Sequence, residues 1–142
     1  MIRILSDGVG LPKGHNIGLV DERSEIAAMY HGISQNDVGL RTDIMNHCKK
    51  SVGIRMMIRS MAPSIVATDE VGGMEDLQAI REAQIMGVKL LLTAHGNDIT
   101  DVPKEFMKNH LFRYVILLQK EPVPGTIKKI WTWEGDKYVL CS

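Results

Sequence analysis

Pro63-Ser64-Ile65-Val66-Ala67-Thr68-Asp69-Glu70 decides the fold of this chain. Proline is tolerated where a strand begins and not inside a central ladder. The run that follows is short, apolar and β-branched, with no polar residue on alternate positions. That is the composition of a strand covered on both faces, and such strands belong to parallel sheets flanked by helices. The run then ends in two adjacent carboxylates. In open α/β sheets, ligands bind in the crevice beyond the carboxyl ends of the strands, so Asp69 and Glu70 stand where chemistry is expected.

The segments on either side fit the same plan. Before Pro63, Ile54, Met57, Ile58 and Met61 recur at three and four residues. They predict a helix capped by Ser51, with its methionines serving as core packing. After Glu70, a helix is expected from Glu75 to Met86, with Glu75 and Asp76 at the positive end of its dipole and Gly87 at its stop. Ile17-Gly18-Leu19-Val20 reads as a second strand running into Asp21-Glu22. Lys89-Leu90-Leu91-Leu92-Thr93 is a third, ending at Ala94-His95-Gly96. Arg113 to Leu118 is read as a fourth parallel strand. A short helix is expected from Pro103 to Asn109.

Two regions depart from this alternation. Residues 31–47 show no clean period and carry Gly32, Asn36, Asp37, Gly39, Arg41 and Asp43, so they read as a structured loop. Gly125 to Trp133 alternates, Glu134-Gly135-Asp136 supplies a turn, and Lys137 to Leu140 returns. An antiparallel hairpin on a sheet edge follows, with Trp131 and Trp133 on one face.

Composition narrows the class further. A chain of 142 residues is long enough for one domain with a sizeable core. The expected layout is a single α/β domain, with residues 1–16 the end of a helix and a linker, 17–120 the core and 121–142 the hairpin. Seventeen basic and seventeen acidic side chains cancel, so no global field calls for nucleic acid or an anionic membrane. Cys48 and Cys141 have no paired ligand spacing, which fits reduced thiols rather than a zinc site or a disulfide framework. With no signal peptide or membrane-length apolar run, a cytoplasmic protein is expected.

Three strand ends carry polar groups: Asp21-Glu22-Arg23, Asp69-Glu70 and His95-Gly96. An acidic residue ending a buried strand can hold magnesium through water, and the next carboxylate can orient an attacking water in nucleoside triphosphate hydrolysis. Asp69 and Glu70 suit those two roles, and His95 suits a phosphate sensor. Asp21, Glu22 and Glu25 are further acidic candidates. Arg23, Arg41, Arg55 and Arg59 are the cations able to contact phosphate, with Arg41 placed to act on a neighbouring subunit. Each has a plainer alternative. Acidic residues are common where a strand leads into a helix, Ser24 could cap a helix, lone histidines are often structural, and arginines often pair on the surface.

The stretches VDERSEIA (20–27), QNDVGLRTD (35–43), IRSMAPSIVATDEVG (58–72) and TAHG (93–96) together resemble the C-terminal ATPase core of the stage III sporulation protein AA family. The resemblance runs from about residue 2 to about residue 130. It implies a RecA-like P-loop fold related to type II and type IV secretion motors, which form rings. On that resemblance Asp69 and Glu70 fall on the Walker B position, with Asp69 on the magnesium side and Glu70 as the catalytic carboxylate. Asp21 and Glu22 fall on an acidic box that contacts the nucleotide site, His95 on a histidine box, and Arg41 and Arg59 on arginines serving phosphate contact or subunit communication. The complete protein would use ATP and magnesium, form a homo-oligomer, and work with other stage III proteins at the membrane between mother cell and forespore. It would lie in the mother-cell cytoplasm, peripheral to the membrane at most, and nucleic acid is not expected as a partner.

This sequence departs from the family at Ser34, where proline is frequent, and at Lys49-Lys50-Ser51-Val52, which replaces a Pro-Lys-Ala-Glu-like run. The larger departure is that no GxxxxGK[ST] occurs: Gly8-Val9-Gly10-Leu11-Pro12-Lys13-Gly14 is glycine-rich but lacks the lysine followed by Ser or Thr. The expected fold is therefore a RecA-like core without its first, Walker A strand. Met1 to Leu5 would be the end of the helix after the missing loop, and neither ATP nor magnesium should bind tightly to this chain alone. The gap left in the sheet is expected to close by a shifted strand pairing or by a second copy.

Overall fold

The computed structural model describes residues 1–108 and 111–141. In chain order the elements are α1 (Ile2–Asp7), β1 (Ile17–Asp21), β2 (Met29–Tyr30), β3 (Ile33–Ser34), β4 (Thr42–Asn46), α2 (Lys50–Ser60), β5 (Ile65–Thr68), α3 (Met74–Ile85) and β6 (Lys89–Leu92). A 3-10 turn (Ile99–Asp101), α4 (Lys104–Met107), β7 (Tyr114–Gln119), β8 (Thr126–Glu134) and β9 (Lys137–Leu140) follow. The chain divides into two compact units, Met1–Ala94 and the residues from His95 onward.

The first unit holds a four-stranded sheet in the order β4-β1-β5-β6, parallel at every pairing. β1 and β5 are its two inner strands and every residue of both is buried. Ile17, Leu19, Val20, Val66 and Ala67 are at most 1% exposed, which is why these runs lack polar alternation. Each fully buried Val, Leu or Ile side chain contributes about 1.5–3 kcal/mol. α2 turns Ile54, Met57 and Ile58 inward, and α3 turns Leu77, Ala79, Ile80 and Ala83 inward. The two helices are joined across their polar faces by Arg55, whose guanidinium donates twice to Glu82 at 2.8 and 3.0 Å.

Several expectations change. Residues 31–47 are not all loop, because Thr42 to Asn46 form β4, the outer strand beside β1. Its burial is only partial and its sequence is polar, so no apolar run announced it. Arg113 to Leu118 is not a fourth parallel strand: β7 pairs antiparallel with β8, with Val115 opposite Trp131. β7, β8 and β9 form their own three-stranded sheet in the second unit. The alternating exposure along β7 belongs to a sheet with one covered face, and its continuous apolar composition had suggested two.

Smaller corrections concern helix ends. Lys49 rather than Ser51 precedes α2, no side chain caps it, and Ser51 is buried inside the first turn. Of the methionines on α2, Met57 packs in the core while Met56 and Met61 are about half exposed. α3 ends as expected before Gly87, whose φ of 77° is the left-handed conformation glycine adopts freely. The short helix covers Lys104–Met107, and Asn109 lies outside the described residues. The hairpin is present, with Trp131 buried and Trp133 edge-on to Tyr138 at 4.9 Å.

Residues 2–7 are helical, so they supply no strand to the sheet. Among the described residues β6 has β5 as its single neighbour and forms an outer edge. The α1 helix instead clamps the approach to β4. Asp7 Oδ1 accepts from Leu40 N at 2.7 Å, and Ser6 Oγ accepts from Arg41 N at 2.8 Å. Gly39 makes the close approach possible: a Cβ there would lie 2.5 Å from Ser6 Cβ, and its φ is +93°.

A candidate site at the carboxyl ends of the inner strands

β1 and β5 are adjacent and in parallel register, with Val20 opposite Thr68. The next residues on each strand, Asp21 and Asp69, must therefore emerge side by side at the carboxyl edge. Chain direction does the positioning, and the buried strands make it rigid.

Asp21 faces inward. It is wholly buried, and its carboxylate accepts three backbone N–H groups: Glu25 N at 2.9 Å on Oδ1, and Ile26 N at 3.1 Å and Ala27 N at 2.8 Å on Oδ2. These bonds fold residues 22–27 into a tight turn. Ser24 Oγ accepts from Met29 N at 3.0 Å in the same turn, and Ser24 caps no helix. Asp21 is the organiser of this loop.

Glu22 and Asp69 turn toward one another, and a lysine lies between them. Lys50 Nζ is 2.8 Å from Glu22 Oε2 and 3.3 Å from Asp69 Oδ1. The lysine side chain is only 7% exposed, against 15% for Asp69 and 37% for Glu22. Burial works against the ammonium, but hydrogen bonding to Glu22 and Asp69 outweighs it and raises the Lys50 pKa above the usual lysine range. Thr68 Oγ1 approaches Asp69 Oδ1 at 3.5 Å, a distance too long to anchor the carboxylate. Cys48 sits beside this group. Burial first, and then the charge of Glu22, push its thiol pKa up, the opposite of what a nucleophilic thiolate requires.

The remaining candidates are placed elsewhere. Glu70 follows Asp69 and is exposed at the strand end. Val71 N donates to Thr93 O at 3.1 Å, which keeps the segments after β5 and β6 side by side. His95 begins the second unit and is exposed. Arg41 precedes β4 at the amino ends of the strands, since Thr42 is opposite Ile17. That is about 13 Å, or one strand length, from the carboxyl edge. Arg59 is in the last turn of α2, about 13 Å along the helix from Lys50. Both arginines are exposed, Arg23 is exposed as well, and Arg55 is committed to Glu82.

The site thus brings together Glu22 and Asp69 and adds Lys50. Lysine is almost never buried, so composition gave no reason to single it out. One signal was available: α2 starts with Lys49-Lys50 and has no acidic residue in its first turn, although cations are disfavoured at the positive end of a helix dipole.

The donor set also limits what metal fits. Among the described residues no group of three or more His, Cys, Asp or Glu side chains could hold a metal ion. Two carboxylates converging on one cation do suit a divalent ion that keeps most of its shell as water and substrate phosphate, as magnesium does. The cation between these two carboxylates in the structure is the Lys50 ammonium.

Comparison with known proteins identifies the family. The family model described as sporulation stage III, protein AA, matches residues 1–138. Stage III sporulation protein AA of Bacillus subtilis (strain 168) is 40% identical over 124 residues, which cover 84% of this chain and 40% of the relative. The chain therefore spans about two fifths of the length of that curated relative. With the family model covering nearly every residue, the chain belongs to the stage III sporulation protein AA family.

Proposed function

We propose that this chain is the Walker B half of a RecA-like ATPase, and that in the complete protein ATP hydrolysis drives assembly of a channel between mother cell and forespore. The observation that carries the reading is the buried β5 strand, central in an all-parallel sheet, ending in Asp69-Glu70 beside a second acidic strand end at Glu22. Asp69 would hold magnesium through water, and bound magnesium would neutralise charge on the transferring phosphoryl group. Glu70, exposed one residue further on, would orient the attacking water. Asp21 serves this site by fixing the loop that carries Glu22 rather than by touching nucleotide.

Arg41 and Arg59 are too far from the carboxyl edge to reach phosphate bound there in the same subunit. In a ring, exposed arginines at the opposite end of the sheet are available to a neighbour's site, and the trans role suits Arg41 best. His95 would keep the phosphate-sensor role that the family resemblance implies. The complete protein would be a homo-oligomer working with other stage III sporulation proteins from the cytoplasmic side. Among the described residues no helix is long and apolar enough to cross a membrane.

The 142 residues hold no GxxxxGK[ST], so they lack the backbone cradle and the lysine that would grip the phosphates. Hydrolysis by this chain alone is accordingly not expected. That observation favours a second reading, a non-catalytic assembly module of the same fold. Calorimetric titration with ATP and magnesium separates the two. The ATPase reading predicts no tight binding to these 142 residues and magnesium-dependent binding to a family member that carries the loop. Failure of the loop-bearing protein to bind would leave the assembly module.

A further inference from the structure

The buried lysine at the strand ends is not used by the mechanism above. Lys50 opens α2, where its charge opposes the helix dipole and where no acidic residue of the first turn compensates it. It has also surrendered nearly all its hydration. Both features are unfavourable in isolation. Among the described residues the groups repaying them are Glu22 on the β1 side and Asp69 on the β5 side, which reach the same ammonium from two adjacent strands. A hydrated divalent cation at Asp69 would need that volume and the Asp69 oxygen that Lys50 now holds, and the ammonium and the metal would repel each other at that carboxylate. The two occupants exclude one another.

We propose that Lys50 is the resident cation of the site, a positioning residue that holds Glu22 and Asp69 together until a divalent cation displaces it from Asp69. The inference rests on reading Asp69 as the magnesium-side carboxylate. It makes metal affinity a property set by Lys50: the site stays closed to free metal, and the lysine swings away from Asp69 when metal enters. Once released, the ammonium has Glu22 as its remaining partner, so the turn organised by Asp21 moves with the state of the site.

The test uses the 142-residue chain and manganese, whose free and bound forms are distinguished by electron paramagnetic resonance. Lys50→Met should bind manganese at least ten-fold more tightly than wild type, and adding Asp69→Asn to that variant should remove the gain. Equal affinity in wild type and Lys50→Met, or a gain that survives Asp69→Asn, overturns the proposal. Circular dichroism checks that Lys50→Met is folded. Should it not fold, wild type carries the test through acylation of lysines read by mass spectrometry. Lys50 should be protected without metal and become reactive in saturating manganese, and continued protection overturns the proposal. The two layers fail separately. Manganese binding that needs Asp69 but ignores Lys50 sinks the inference and keeps the metal role of Asp69. A Lys50→Met gain that needs Asp69, in a family whose loop-bearing members do not hydrolyse ATP, keeps the inference and sinks the ATPase reading.

Discussion

Replacing Asp21 with asparagine isolates what that buried carboxylate does. Its two oxygens serve three backbone donors, two on Oδ2 and one on Oδ1. Asparagine can keep an oxygen toward Ile26 and Ala27 but must then turn its NH2 toward the N–H of Glu25. One bond is lost to a donor facing a donor, and two others fall from charge-assisted to neutral. Taking about 1.5–3 kcal/mol for a charged bond and about 1 kcal/mol for a neutral one, the loss is about 2.5–7 kcal/mol. Because the residue is wholly buried, water cannot substitute for the missing acceptor. Urea unfolding followed by far-ultraviolet circular dichroism measures the change. Amide hydrogen exchange at Glu25, Ile26 and Ala27 reports it locally, and should speed up at all three. A destabilisation below about 1 kcal/mol with unchanged exchange would refute the loop-organising role and return Asp21 to direct ligand contact.

Other perturbations give equally definite outcomes. Gly39→Ala should destabilise by about 2–4 kcal/mol in chemical denaturation, since it combines a left-handed φ with a Cβ placed against Ser6. Lys50→Met should cost about 1–3 kcal/mol near neutral pH, below the usual range for a broken buried pair because Glu22 is more than a third exposed. The Lys50 pKa is raised on folding, so its contribution is complete below the unfolded lysine pKa and is lost as pH rises through the folded value. The stability gap between wild type and Lys50→Met should therefore narrow in strongly alkaline buffer, and a gap that stays constant would contradict the ion-pair geometry. Glu82 behaves in the opposite sense. Hydrogen bonding from Arg55 lowers its pKa, so its contribution is present above the unfolded glutamate value and lost as pH falls through the folded one. Glu82→Gln should flatten the acid limb of the stability profile, read by unfolding from pH 6 downward to about 3.

What the residues revealed in advance follows from how each was held. β1 and β5 were legible because burial on both faces excludes polar residues, and the carboxylates at their ends were legible because chain direction puts them there. β4 was hidden: an edge strand half open to solvent tolerates Thr42, Asp43 and Asn46, and it paired by register with β1 rather than by apolar composition. β7 was seen as a strand but placed in the wrong sheet, because the apolar run of Tyr114 to Leu118 does not say which partner covers it. At the carboxyl edge, residue type singled out Asp21, Glu22 and Asp69 alike; tertiary placement pairs Glu22 and Asp69 with Lys50 and gives Asp21 to backbone donors. Lys50 could not be found from type at all. Its role is created by tertiary placement, with only an ill-suited charge at a helix start as a trace in the sequence.

The proposed role of Asp69-Glu70 is the hydrolytic end of a Walker B strand. The most direct test is steady-state ATP turnover by a family member that carries the phosphate loop, with glutamine placed at the position of Glu70. Turnover should fall by at least about 100-fold while magnesium-dependent ATP binding is retained, as expected when the group that orients the attacking water is removed and the phosphate contacts are not. Turnover within about two-fold of wild type would contradict it.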